Sequence, residues 1–164
     1  MKKMAVDQFI KIGDVKGEAQ DDKHKDEIDV LAWSWGMSQS GTTHQGSGSG
    51  AGKVAIQDLS ITKYVDKSSP VLMTACSNGK HYPEACLIVR KAGEEAVEYI
   101  KITMKDLIIT SISTGGSGGE DRLTENVTLN FGEVHVAYQP QGKTGAKEGG
   151  EIKYDWDIAA NKKL

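Results

Sequence analysis

Residues Glu125–Tyr138 have the sequence ENVTLNFGEVHVAY, in which apolar side chains alternate with polar ones. The apolar residues from Val127 to Phe131 occupy one phase of the alternation, whereas those from Val134 to Tyr138 occupy the other. A period of two is typical of a β-strand with one face in a core. The one-residue shift at Gly132 is what a β-bulge leaves in a sequence, so we expect a bulged strand here.

The same periodicity recurs along the chain. EIKYDWDI (Glu151–Ile158) alternates without interruption, and YIKITMKDLIITSIS (Tyr99–Ser113) is long and rich in β-branched residues. KVAIQDLSITKYV (Lys53–Val65) predicts another strand, and CLIVRKAGEEAVEYI (Cys86–Ile100) predicts a hairpin around Lys91–Glu95. The predicted fold class is therefore mainly β.

The segment IDVLAWSWGM (Ile28–Met37) is apolar in both phases of the alternation. One phase contains Ile28, Val30 and Ala32, and the other contains Leu31, Trp33, Trp35 and Met37. A strand of this kind is normally covered on both sides. We expect one side to face the core and the other to face a partner. The alternative is that both tryptophans pack in the core.

One short helix is predicted in SSPVLMTACSNG (Ser68–Gly79). Ser69 is suited to cap it, Pro70 to occupy the first helical position, and Asn78-Gly79 to end it in a left-handed conformation. The apolar residues at helical spacing, which we expect to be buried, are Val71, Leu72, Ala75 and Cys76.

Both cysteines and a histidine stand in a C-x4-H-x4-C arrangement formed by Cys76, His81 and Cys86. A structural zinc site needs four ligands, and a catalytic thiol needs an electropositive, partly exposed setting. A disulfide is sterically conceivable but is disfavoured in a reducing cytosol. We expect two small buried cysteines, with His81 in a loop and Cys86 at the start of a strand.

Charge and hydropathy exclude several classes of protein. The 164 residues include 20 Lys and Arg against 23 Asp and Glu, a net charge of −3, which argues against nucleic-acid binding. No apolar run approaches the roughly 18 residues of a membrane helix, so we expect no membrane insertion. The start MKKMAVDQFIKIGD lacks the apolar region of a secretory signal peptide, so we expect synthesis in the cytoplasm.

No cofactor site or active site is indicated. SGSGAGKV resembles a phosphate-binding loop but has Ser47 and Val54 where that pattern needs Gly and Ser or Thr. None of the histidines stands beside a nucleophile motif such as G-x-S-x-G. The four are His24, His44, His81 and His135, of which we expect His24 and His44 in polar loops and His135 pointing outward from its strand.

Four long motifs resemble the haemolysin-coregulated protein (Hcp) family. They are MAVDQFIKIGDVKGE (Met4–Glu18), EIDVLAWSWGMSQSG (Glu27–Gly41), GAGKVAIQDLSITKYVDKSSP (Gly50–Pro70) and STGGSGGEDRLTENVTLNF (Ser113–Phe131). They occur in the family's order, and the likeness extends to the C-terminal YDWDI.

The resemblance implies a single domain over residues 1–164, a two-sheet β-barrel with one short helix, assembling as a hexameric ring. Stacked rings would form the hollow tube of the type VI secretion system, used in virulence and bacterial competition. Expected partners are further copies of the chain, a spike protein at the tube tip, contractile sheath and baseplate proteins, and small effectors in the lumen. The chain would be secreted through this apparatus without a signal peptide.

Glycine-rich loops and the doubly apolar segment are the expected contact surfaces between subunits or rings. Thirteen of the 19 glycines lie in the loops 41–52, 115–119 and 142–150, and glycine permits close backbone approach. The candidate interface residues are Leu31, Trp33, Trp35, Met37, His44, Gly46, Gly48, Gly50, Lys53, Gly116, Gly118, Glu120, Asp121 and Arg122.

Three other functions are alternatives to a tube subunit. They are a ligand-binding β-barrel, a secreted effector without a tube role and a hydrolase.

Overall fold

The computed structural model describes residues 6–41, 52–92 and 96–164. Within these ranges the chain forms eleven strands and one helix, which confirms the mainly β class. The strands are β1 (Val6–Ile12), β2 (Ile28–Asp29), β3 (Ala32–Ser34), β4 (Met37–Ser38), β5 (Ala55–Ile56), β6 (Leu59–Tyr64), β7 (His81–Lys91), β8 (Glu98–Thr114), β9 (Thr124–Tyr138), β10 (Ile152–Asp157) and β11 (Lys162–Lys163). The helix α1 (Ser68–Asn78) lies between β6 and β7.

Nine strands form one antiparallel sheet with the main order β11-β10-β9-β8-β7-β1-β2. β6 joins this sheet beside β9, and β3 pairs with β6, whereas β4 and β5 form a separate ladder. The predicted closed two-sheet barrel is therefore wrong for the described residues, because the sheet is open, with terminal strands β2, β3 and β11. The connection between β2 and β3 contacts both β1 and β6: Val30 donates its N–H to the Gln8 carbonyl of β1, and Leu31 donates its N–H to the Thr62 carbonyl of β6.

β9 is the strand on which the other long strands converge. It pairs with β8 along almost its whole length, while its opposite edge pairs first with β6 and then with β10. Gly132 lies between these two partners, so the phase change occurs where the strand passes from one neighbour to the next. The predicted bulge at Gly132 is wrong, since the register against β8 shifts between Ile109 and Ser111 instead.

The segment Ile28–Met37 is not one strand but three short ones, and this corrects its predicted character. Ile28 and Val30 are buried while the chain pairs with β1, whereas Trp33 and Trp35 pack against the core once the chain has crossed to β6. The inward-facing phase therefore changes at the crossing. The segment is apolar in both phases because one phase faces the core in its first half and the other phase faces the core in its second half.

Helix α1 ends as predicted, since Gly79 has φ +68° and its N–H binds the Ala75 carbonyl. Its start differs from the prediction, because Lys67 precedes the helix without a side-chain cap and Ser69 lies inside the first turn. Leu72 and Ala75 are buried as expected, but Val71 is 46% exposed.

The core lies on the inward face of the sheet and under α1. Its fully buried apolar side chains contribute about 1.5–3 kcal/mol each, and they include Ile10, Ile12, Ile28, Leu59, Leu72, Leu87, Met104, Leu107, Val127, Leu129 and Val134. Cys86 lies in the middle of β7 and His81 begins it, so the predicted loop for His81 and strand start at Cys86 are wrong.

Candidate assembly surfaces

The tryptophan segment presents less free apolar surface than its sequence suggests. Trp35 donates its indole N–H to the Gln57 carbonyl at 2.9 Å and lies beside Phe131, with ring centroids 6.3 Å apart. Trp33 and Trp35 are both half-buried against the core. Met37, at the start of the separate ladder β4–β5, is 43% exposed. This ladder is therefore the part of the segment that is free to meet a neighbour.

The β8–β9 connection carries five of the candidate residues. Gly116, Gly118, Glu120, Asp121 and Arg122 all lie in this exposed loop. The loop borders an open polar pocket of about 340 Å³, lined by Ser113, Thr114, Gly115, Gly116, Ser117, Glu120, Thr124 and Asn126. These residues supply hydroxyl, amide and backbone groups that suit hydrogen bonding to another protein surface.

The end of this loop is fixed to the end of β6. The guanidinium of Arg122 lies 3.7 Å from the centroid of the Tyr64 ring, a cation–π contact. Val65 donates its N–H to the Leu123 carbonyl at 2.9 Å. Val65 and Leu123 are 39% and 44% exposed. We call these four residues, Tyr64, Val65, Arg122 and Leu123, the rim.

Of the remaining candidates, Leu31 lines a pocket together with the rim residues Tyr64 and Arg122, whereas the others are separated from the rim or lie outside the described residues. Lys53 is described and precedes β5, and Leu31 is half-buried where the chain crosses from β1 to β6. His44, Gly46, Gly48 and Gly50 lie in 42–51, outside the described residues. The structure thus brings the β8–β9 loop and the end of β6 together, but it does not bring Met37 or Lys53 to the rim in any described contact.

A buried ionic cluster, which none of the sequence motifs predicts, lies directly beneath the rim. Lys63 on β6 and Glu125 on β9 are opposed Cα partners, and their side chains form an ion pair with no solvent exposure. The Lys63 ammonium also binds the Tyr64 carbonyl at 2.9 Å and contacts Asp66 Oδ1 at 3.1 Å. The Ser69 hydroxyl, in the first turn of α1, donates to Glu125 Oε1 at 2.5 Å.

The alternation of inward and outward residues in β6 and β9 contains a sequence signal for this cluster. Lys63 continues the inward phase of Leu59 and Ile61, and Glu125 begins the inward phase of Val127. Opposite charges at inward positions of two strands indicate a buried pair if the strands are neighbours. The pairing of β6 with β9 supplies that condition.

A second ionic group fixes the connection between β1 and β2. His24 is buried, in contrast to the polar solvated loop predicted for it, and stacks on Phe9 with centroids 4.6 Å apart. Its ring nitrogens lie 2.5 Å from Glu27 Oε2 and 2.9 Å from Glu98 Oε1. Nearby, Arg90 forms an ion pair with Asp21, which raises the pKa of Arg90 and lowers that of Asp21.

His135 lies on the outward face of the sheet, as predicted. Its Nδ1 is 2.6 Å from Asp155 Oδ1 and its Nε2 is 2.7 Å from Glu133 Oε2. The hydrogen bond to Glu133, followed by that to Asp155, raises the pKa of His135 above its ordinary value. This arrangement links β9 to β10.

The described residues show neither a metal cluster nor a disulfide. No group of three or more His, Cys, Asp or Glu in the described ranges is arranged to hold a metal ion. Cys76 and Cys86 are free thiols, and burial raises the pKa of Cys86. No helix in the described ranges is long and apolar enough to cross a membrane.

Comparisons with known proteins agree with this architecture. The family described as "Type VI secretion system effector, Hcp" matches residues 9–138. Protein hcp1 of Pseudomonas aeruginosa is 69% identical over 159 residues, covering 96% of this chain and 98% of that protein. Hcp1 from Salmonella typhimurium is 42% identical with a TM-score of 0.82, over 98% of this chain and all of that one. A structure titled as a type six secretion system protein is 32% identical with a TM-score of 0.91, with the same coverage.

Proposed function

The chain belongs to the Hcp family of the type VI secretion system, and from this membership we propose that it is a structural subunit of the secretion tube. Six copies form a ring, and rings stack into a hollow tube that carries small effector proteins in its lumen. The observation that carries this proposal is the 69% identity to Protein hcp1, which extends over nearly the full length of both chains.

Two surfaces of the structure support assembly of this kind. The rim and the β8–β9 loop expose apolar and hydrogen-bonding groups on a fixed part of the sheet, and the β4–β5 ladder exposes Met37 away from it. A ring that closes and also stacks needs two different contact surfaces on each subunit. We assign the rim with its loop to the contact between subunits of one ring, and the β4–β5 ladder, which we call the arm, to the contact between stacked rings.

The remaining partners follow from a tube propelled into another cell. A spike protein occupies the tube tip, and sheath and baseplate proteins surround and anchor the tube. The subunit is made in the bacterial cytoplasm and leaves through the apparatus rather than through a signal-peptide route. Its role is structural, so the purified protein turns over no substrate.

Light scattering of the purified protein tests the proposal, with electron microscopy of the same sample. We expect a mass of about six subunits and ring-shaped particles. Leu123→Glu should lower this mass by placing a charge in the contact. Leu164→Glu is the matched control, since Leu164 is similarly exposed at 47% but lies after β11, and it should leave the mass unchanged. A stable wild-type monomer at micromolar concentration would contradict the proposal.

A further inference from the structure

The Lys63 cluster is completely enclosed, and its hydrogen bonds join three separate elements. The Ser69 hydroxyl accepts from the Asp66 N–H at 3.0 Å and from the Lys63 ammonium at 3.2 Å while donating to Glu125. β6, β9 and the first turn of α1 therefore meet at one ammonium group. Each of these hydrogen bonds requires a particular orientation of donor and acceptor, whereas an apolar contact between the same elements does not.

The cluster is poorly suited to act only as a stabilising contact. Two carboxylates, those of Glu125 and Asp66, face the single ammonium of Lys63, and their side chains are at most 8% exposed. Oε2 of Glu125 is buried and has no hydrogen-bond partner among the described residues. Removing charges from water is unfavourable, and apolar residues of similar volume are often at least as stabilising as a buried ion pair. What an ion pair adds is a specific geometry.

That geometry determines the position of the rim. Tyr64 follows Lys63 directly, and its carbonyl accepts a bond from the Lys63 ammonium. Two residues before Glu125, the Leu123 carbonyl accepts the Val65 N–H. A change in the spacing or angle between Lys63 and Glu125 is therefore passed within one or two residues to Val65 and Leu123.

We infer that the Lys63–Glu125–Ser69 cluster is a positioning device, which sets the rim against the start of α1 in the geometry that contacts a second copy of the chain. The inference rests on the proposed function, and it assigns the role to three buried residues that touch no partner themselves. Loss of the cluster should weaken assembly by more than it weakens the fold.

The informative variant replaces both charges in one protein, Lys63→Met with Glu125→Gln. Methionine fills the volume of the lysine stem, and glutamine keeps an oxygen for the Ser69 hydroxyl. The control carries the same two substitutions at Lys105 and Glu84, which are opposed Cα partners on β8 and β7 with exposed side chains. Lys63→Met alone leaves the two carboxylates of Glu125 and Asp66 facing each other without a cation, so it should be less stable than the double variant, in which only Asp66 stays charged and keeps its hydrogen bonds from the Ser68 N–H and hydroxyl.

Three measurements separate the possible roles. Urea unfolding should give the Lys63/Glu125 double variant a midpoint close to that of the wild type. The concentration at which its rings dissociate should rise by about tenfold or more, a change that the Lys105/Glu84 control should not show. Amide hydrogen exchange at Val65 should be faster by about tenfold, while core amides such as that of Leu87 keep their protection.

Two results would overturn the inference. A double variant that is stable, assembles normally and keeps Val65 protected shows that the charges position nothing. A double variant as unstable as the Lys63→Met variant shows that the cluster is a stability element. If the wild-type protein itself is monomeric, the proposed function fails, and exchange at Val65 still decides whether the cluster positions the rim.

Discussion

Asp106 on β8 lies opposite Gly132 on β9, and Asp106 adopts the left-handed conformation with φ +51°. The flanking pairs, Lys105 with Glu133 and Leu107 with Phe131, keep the same register. Both strands therefore change their inward-facing phase at one point without slipping against each other. This shared change is the corner at which β9 leaves β6 and joins β10.

The corner predicts an asymmetric response to substitution. Asp106→Val places a β-branched residue in a left-handed conformation, which should lower the free energy of unfolding by about 1–3 kcal/mol. Gly132→Ala should change it by less than about 1 kcal/mol, because the new Cβ would lie no closer than 3.7 Å to Asp106. Urea unfolding at one pH measures both. Equal losses in the two variants would mean that the strain is not located at Asp106.

The His135 bridge predicts a dependence of stability on pH. Because the folded pKa is raised, the stabilisation is fully present below the unfolded pKa of about 6.5 and is lost as pH rises through the folded pKa. His135→Gln should therefore differ from the wild type more at pH 5.5 than at pH 8.5, by up to about 1 kcal/mol. His81→Gln is the control, since His81 and Asp106 are 69% and 76% exposed. Identical pH slopes for wild type and His135→Gln would contradict the prediction.

Cys86 should be an unreactive thiol. Burial raises its pKa, so less of the nucleophilic thiolate is present at a given pH. In the Cys76→Ala variant, where Cys86 is the only thiol, labelling by a disulfide reagent at pH 8 should be at least about tenfold slower in the folded protein than in urea. Equal rates would show that the thiol is accessible and ionised.

Replacing both cysteines should leave assembly intact. Cys76 packs against the core and Cys86 receives a weak contact from the Thr103 hydroxyl at 3.8 Å. Cys76→Ala with Cys86→Ala should therefore lower stability by a few kcal/mol at most, and the ring mass by light scattering should be that of the wild type. One bound zinc per wild-type subunit, lost in the double variant, would contradict this interpretation.

The sequence predicted those features that depend on one strand or helix alone. The alternation of apolar and polar residues correctly predicts the strands β8, β9 and β10, and Gly79 correctly predicts the end of α1. The sequence does not predict features that depend on which strands are neighbours. The phase changes at Gly132 and in Ile28–Met37 are visible in the sequence, but they are explained only by the change of neighbouring strand at each point.

The same limit applies to the candidate surfaces. Lys63 and Glu125 lie 62 positions apart, so neither strand alone shows that their charges meet. The charged neighbours of His24 in DDKHKDEID predict that its side chain lies in solvent. It is buried because Phe9, an outward residue of β1, gives its ring a stacking surface.

The final prediction concerns the loop Ser40–Gly52, SGTTHQGSGSGAG, of which residues 42–51 lie outside the described ranges. Its flanks are described, and they form the separate ladder in which Met37 pairs with Ile56 and Ser38 with Ala55. The loop therefore joins the two strands of the arm, which, in the part of the chain that the structure describes, do not pair with the main sheet. A segment this rich in glycine loses much conformational entropy when it is ordered, so an assembly role requires extensive contacts.

Shortening Ser40–Gly52 to a four-residue turn should preserve the ring and weaken the stacking of rings. The change removes no described core side chain, so the unfolding midpoint and the ring mass by light scattering should be those of the wild type. Tube length by electron microscopy and secretion from cells should both fall, because the shortened arm no longer contacts the adjacent ring. Wild-type tube length and secretion in the shortened protein would show that the loop is only a connection. Loss of the ring itself would place the arm in the contact between subunits of one ring, and would exchange the roles assigned to the arm and the rim.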